Sequence, residues 1–143
     1  MKAELFHQYA HSFEGLTLAN LDRLATYVSP DIHFRDPFND VHQWAHMRLV
    51  FVDMFERTQS NRFTTLEVYP NMETASACVY WRFETSFAKL GALDILGTSR
   101  IQADAQGRIS EHLDFWDPSP LYRRLPVFGS ALGWIQSKLA IRT

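Results

Sequence analysis

The segment Cys78-Val79-Tyr80-Trp81-Arg82-Phe83-Glu84-Thr85-Ser86-Phe87 decides the fold of this chain. It is rich in β-branched and aromatic residues, and successive side chains of a strand point to opposite faces. Val79, Trp81, Phe83 and Phe87 therefore share one face, and Cys78, Tyr80, Arg82, Glu84 and Ser86 share the other. Neither face reads as fully solvated. An aromatic face larger than one chain can cover predicts a partner surface, here a second copy in a homodimer joined through the outer face of the sheet. On that assignment Arg82 and Glu84 turn inward, into a concavity between sheet and helices.

Working outward, residues 62–69, 75–87, 92–104 and 109–117 read as four strands separated by Pro-Asn, Leu-Gly and Gln-Gly breaks. Connections this short cannot hold crossover helices, so antiparallel pairing is expected. Upstream, Leu5, Phe6, Tyr9 and Phe13, then Leu21, Leu24, Ala25 and Val28, recur at helical spacing around Gly15. Ser29-Pro30 is expected to stop the second helix, and a strand follows from Ile32 to Pro37. Asp40 and Gln43 have capping-box spacing for a third helix running to about Arg57. After Asp117-Pro118-Ser119-Pro120 the tail, residues 119–143, resumes helical spacing with Leu132, Ile135 and Leu139 on one side. The expected fold class is α+β, a curved antiparallel sheet wrapped around N-terminal helices with a C-terminal helical tail packed on it.

The 143 residues, 46% hydrophobic and 21% charged, fit one domain spanning 1–143. A net charge of −2 gives no reason to expect phosphate-backbone binding, so nucleic acid is disfavoured as a partner. The single cysteine, Cys78, excludes an intrachain disulfide and reads as a buried thiol. No apolar signal core and no run of ~18 apolar residues is present, which makes a soluble, cytoplasmic setting the expectation. Four tail cations, Arg123, Arg124, Lys138 and Arg142, are few for a membrane surface. The tail reads instead as a lid or an extension of the dimer contact.

Three strands supply candidate chemistry. On the last, Ser110, His112, Asp114 and Trp116 share one side. With Asp36 at the exit of the first strand, Asp36, Arg82, Glu84 and Asp114 are expected at one region as the catalytic set. Asp36 before Pro37 reads as a general base or as a turn cap, and His112 as a proton shuttle or a satisfied core histidine. Phe34, Trp44, Tyr80, His112 and Trp116 are candidates to line an apolar ligand pocket. His7/His11 and His42/His46 are each one helical turn apart, but no third ligand accompanies either pair in the sequence, and no metal is assigned.

The order of helix-helix-DIHFRDPF, a further helix, YWRFETSF, ILGTSRI and GRISEHLDFWDP resembles the nuclear transport factor 2-like superfamily, with its SnoaL-like polyketide cyclases, ketosteroid isomerases and limonene epoxide hydrolases. The resemblance implies a cone-shaped α+β fold with an internal pocket and commonly a dimer on the outer sheet face. Asp36-Pro37 is similar to the Asp-Pro of the isomerase base. Arg82, Glu84 and Asp114 resemble the epoxide-polarising and water-activating set of the hydrolases, and Asp114 resembles the acid/base Asp of the cyclases. Phe34 stands where the hydrolases carry a Tyr, Asp36 where they carry an Asn, and Glu84 where they carry an Asp. For an isomerase the oxyanion needs a phenol and a protonated carboxylic acid; Tyr9 does not match the phenol position, and Thr98 or Ser99 occupies the region of the acid. The expected function is a small-molecule-binding protein with an enclosed apolar pocket, acting as a cofactor-independent isomerase, cyclase or epoxide-hydrolase-like enzyme. The alternative is a non-catalytic ligand-binding or protein-interaction module of the same fold.

Overall fold

The computed structural model describes residues 2–141. Helix α1 (Glu4–His11) buries Phe6, Tyr9 and Ala10, the side of the helix marked by the apolar spacing. The Arg23 guanidinium donates to the carbonyl oxygens of Ser12 and Glu14 just past its end, and Gly15 takes the left-handed turn at φ 67°. The second helical segment is a 3-10 helix, Leu21–Thr26, that buries Leu21 and Leu24.

Strand β1 spans Val28–Arg35, so Ser29-Pro30 does not end a helix but lies within a strand. Pro30 falls where the pairing with β6 shifts register between Val28 and His33, an irregularity that tolerates a missing N–H. The two-residue β2 (Asp40–Val41) folds back on β1. Helix α2 (Trp44–Arg57) begins at Gln43, whose side chain makes no capping bond; Asp40 lies in β2 instead of capping the helix. Strands β3 (Gln59–Asn71), β4 (Ser76–Phe87), β5 (Gly91–Ala103) and β6 (Ile109–Phe115) follow, then helices α3 (Ser119–Tyr122) and α4 (Pro126–Leu139).

These strands form one six-stranded sheet in the order β2-β1-β6-β5-β4-β3. β3 to β6 pair antiparallel as their short connections require, but β1 pairs parallel with β6, so the sheet is mixed. The long stretch of chain between β1 and β6 leaves that orientation open, which the short-loop argument did not cover. Phe6, Tyr9, Met47 and Phe51 of the helices form one core cluster with Phe34, Val79 and Ile101 of the sheet. α4 buries none of its residues, with Val127 and Leu139 largely exposed. Among the described residues no helix is long and apolar enough to cross a membrane.

Gly97 pairs directly with Trp81 across β4 and β5, and a Cβ built at Gly97 would overlap the indole ring. The glycine is what lets the ring lie across the strand. Gly97→Ala is expected to destabilise the protein by about 1–3 kcal/mol through forced ring displacement. Urea unfolding checks this, with native tryptophan fluorescence reporting the moved ring; an unchanged midpoint and spectrum would contradict it.

Candidate functional site

Between the helices and the sheet lies a cavity of about 480 Å³. The β4 residues lining it are Val79, Trp81, Phe83, Thr85 and Phe87, which corrects the sequence-based face assignment. The aromatic side of β4 is the inner wall, and Arg82 and Glu84 are on the outer face, 44% and 39% exposed. There Arg82 donates through Nε to Asp94 Oδ1 at 2.8 Å, with Glu84 3.8 Å away. The Asp94 carboxylate holds the Arg82 guanidinium above its ordinary value, with Glu84 adding to it.

The physical reason is one of magnitude. Removing Val79 and Phe83 from water is worth about 1.5–3 kcal/mol each, with half-buried Phe87 adding less, whereas burying a charge costs several kcal/mol even after relaxation. Tyr80 and Cys78 share the outer parity, so Tyr80 does not line the cavity and the Cys78 thiol is exposed, not buried. Trp44, at the start of α2, packs against the helix side of the core and also does not reach the cavity. With the rings inside, the aromatic ground for a homodimer through the outer face falls away.

The other candidates lie together. Phe34, Asp36, His112, Asp114 and Trp116 all line the cavity. His112 is buried, its Nδ1 2.7 Å from the Tyr9 hydroxyl and its Nε2 2.7 Å from Asp114 Oδ1. Burial, with the Asp114 charge adding to it, holds the Tyr9 phenol well above its usual value, so Tyr9 is a protonated donor. The bonds are satisfied by Tyr9 O–H donating to Nδ1 and His112 Nε2–H donating to Asp114. From the other side Trp81 Nε1 donates to Ser99 Oγ at 2.8 Å, and Ser99 donates to the same Asp114 Oδ1 at 2.5 Å.

Two chains of donors therefore end on one oxygen. Asp114 Oδ2 has no protein partner among the described residues, and no buried side-chain oxygen or nitrogen among them lacks one. Oδ2 is thus accessible to solvent or to a ligand.

Asp36 is the second carboxyl. Its Oδ1 accepts from the backbone N–H groups of Phe38 at 2.8 Å and Asn39 at 2.7 Å, and from the Asn39 side chain at 3.1 Å. It is a turn cap and a cavity residue at once. Burial raises its carboxyl above the ordinary value despite those donors, and the Asp114 charge pushes the same way. At the rim, Phe38 meets Trp116 and Tyr122 edge-on, and Leu121 of α3 adds an apolar contact.

Tyr9 and Ser99, not among the expected catalytic or pocket residues, belong to the site, and Trp81 lies on the inner face of β4 instead of the outer one. Alternation along β5 carries the missing signal, since Leu93, Ile95, Ser99 and Ile101 share the inward side.

A model of the SnoaL-like domain matches residues 9–112. The chain belongs to the SnoaL-like domain family. No curated protein matches it. Among solved structures, a protein with a ketosteroid isomerase-like fold from Catenulispora acidiphila, in complex with trimethylamine, superposes with TM-score 0.71 at 10% identity, covering 87% of this chain and 93% of that one. A polyketide cyclase-like protein of Pseudomonas putida gives 0.72 at 11% identity, covering 86% and 96%. SalBIII, an epoxide hydrolase/cyclase-like enzyme with a role in pyran ring formation in the polyether salinomycin, gives 0.66 at 13%, covering 80% and 88%. At these identities the likeness concerns the fold alone. This SnoaL-like chain shares the nuclear transport factor 2-like architecture with them.

A raised Asp36 implies a defined pH signature. The folded state takes up this proton at higher pH than the unfolded chain, so Asp36 lowers stability as pH climbs from the ordinary Asp value, about 3.9, through its folded value. Asp36→Asn keeps an oxygen for the turn N–H groups, and is expected to raise stability at pH 7 relative to the parent and flatten the profile between pH 4 and 7. Urea titrations across that window check it; an Asn variant less stable at pH 7 with an unchanged profile would refute it.

Proposed function

We propose that this protein binds a small, mostly apolar molecule in the cavity and performs cofactor-independent acid–base chemistry on it, with Asp114 as the base. The observation that carries the reading is the convergence of His112 and Ser99 on Asp114 Oδ1, which leaves Oδ2 free beside an aromatic wall. A carboxylate in such surroundings is costly unless hydrogen-bonded, and here the bonds also fix its orientation. In the proposed mechanism Oδ2 takes a proton from the ligand or from a water beside it. Asp36, the second carboxyl facing the cavity and held above its ordinary value by burial, returns a proton to the atom where negative charge develops. The proton taken by Asp114 passes back to Asp36 through solvent before the next turnover.

Isomerisation, cyclisation and epoxide opening all use this exchange. The cyclase-like and epoxide hydrolase/cyclase-like neighbours support the class, while Arg82 and Glu84 take no part because they lie on the far side of the sheet. Phe34, Phe63 and Trp81 would hold the apolar body of the ligand.

Native mass spectrometry of protein purified from its own cells is expected to show one small apolar molecule retained per chain. With that molecule as substrate, Asp114→Asn is expected to retain binding while turnover falls by ~10²–10⁴-fold. Retained binding with unchanged turnover would remove Asp114 as the base and leave a ligand-binding module.

Self-association through the outer sheet face stays in the proposal on a narrower ground, the exposed Leu96 and Phe115. Sedimentation velocity should show a dimer that Leu96→Arg converts to monomer; a monomeric parent would end that reading.

A further inference from the structure

The outer face of the β1–β2 hairpin carries a group of side chains that the acid–base site does not use. Phe34 pairs with Val41 and Arg35 with Asp40, which sets His33 opposite His42, with Arg35 and Asp40 on the same face. The two imidazoles stack at 4.4 Å and 11°. Asp40 Oδ1 lies 2.7 Å from His33 Nε2 and 3.6 Å from His42 Nε2. Asp40 has an arginine as its cross-strand partner, yet its carboxylate turns to the two imidazoles while the Arg35 guanidinium lies over the Phe115 ring.

We infer that His33, Asp40 and His42 form a site for a divalent transition-metal ion, zinc being the best match. Two imidazole nitrogens and one carboxylate oxygen are borderline ligands of the kind zinc takes, and three protein ligands leave a fourth position for water. Ligand atoms about 2.0–2.2 Å from one tetrahedral ion lie about 3.3 Å apart. The two distances here, 2.7 and 3.6 Å, straddle that value, and the candidate ligand atoms all lie within 4.8 Å of one another. An ion must lie in the plane of each ring that ligates it, so closing on one takes His42, 70% exposed, out of the 11° stack with His33 and turns its Nε2 toward Asp40 and His33.

The surroundings supply what a ligating histidine needs behind it. His33 Nδ1 faces Glu111 Oε2 of β6 at 3.6 Å, and Glu111 is held in turn by Arg100 Nη1 at 2.8 Å. Without metal the 2.7 Å bond to Asp40 holds the proton on Nε2; when an ion takes that position the proton moves to Nδ1, toward the Glu111 carboxylate. Asp40 brings a negative charge to the ion, the Glu111 charge is shared with Arg100, and the Arg35 guanidinium is turned over the Phe115 ring. A bound ion would fasten β1 to β2 at the base of the turn that carries Asp36, Phe38 and Asn39 to the cavity.

Isothermal titration of the full chain with zinc chloride tests this, beside His33→Ala, His42→Ala, Asp40→Asn and a His7→Ala/His11→Ala control. The expected result is one ion per chain with micromolar Kd, weakened at least tenfold by each of the first three changes and unaffected by the control. Cobalt substitution should give visible ligand-field bands that the His42→Ala variant loses. Thermal melting without metal should be near that of the parent for Asp40→Asn and His42→Ala, whose side chains are exposed, and only modestly lowered for His33→Ala, whose side chain is half-buried. No zinc binding, equal binding in the parent and His42→Ala, or loss of binding in the His7/His11 control alone would overturn the site.

Discussion

A carboxylate set among phenyl and indole rings is the constraint on which this molecule's arrangement turns. Asp114 persists there because Ser99 and His112 both donate to it, and each donor is itself held, by Trp81 and by Tyr9. Without those bonds an unsatisfied buried charge would cost several kcal/mol, a large share of an ordinary domain's stability. The network therefore links α1, β4, β5 and β6 through polar contacts inside an otherwise apolar interior. It also decides which carboxylate oxygen can meet a ligand, so packing and chemistry are set by the same four hydrogen bonds.

Much of this was legible in the sequence. The four long strands, the helices before them and the inward face of β6 all follow from periodicity, since a strand of alternating Ser110, His112, Asp114 and Trp116 has only one way to put its partners together. Pocket-lining Phe34 and Asp36 follow from their place at the end of β1. What misled was β4, where a charged pair two residues apart looked like a site. An alternating strand offers only two faces, and the relative cost of burying rings or ions should have chosen between them: the rings went in and Arg82 found Asp94 outside. The Tyr9 contribution was not legible because its partner lies 103 residues away, and no local pattern reports such a distance.

The β1–β2 turn holds two kinds of residue within four positions. Asp36 is the raised carboxyl of the cavity, and Phe38 stands at its rim against Trp116 and Tyr122. The backbone N–H of Phe38 is moreover one of the donors that hold the Asp36 side chain. A guest that displaced that ring would also bear on the peptide whose N–H holds the Asp36 carboxyl. The width of the doorway and the set of the carboxyl behind it are in consequence mechanically tied: slackening the turn to pass bulkier guests would loosen both.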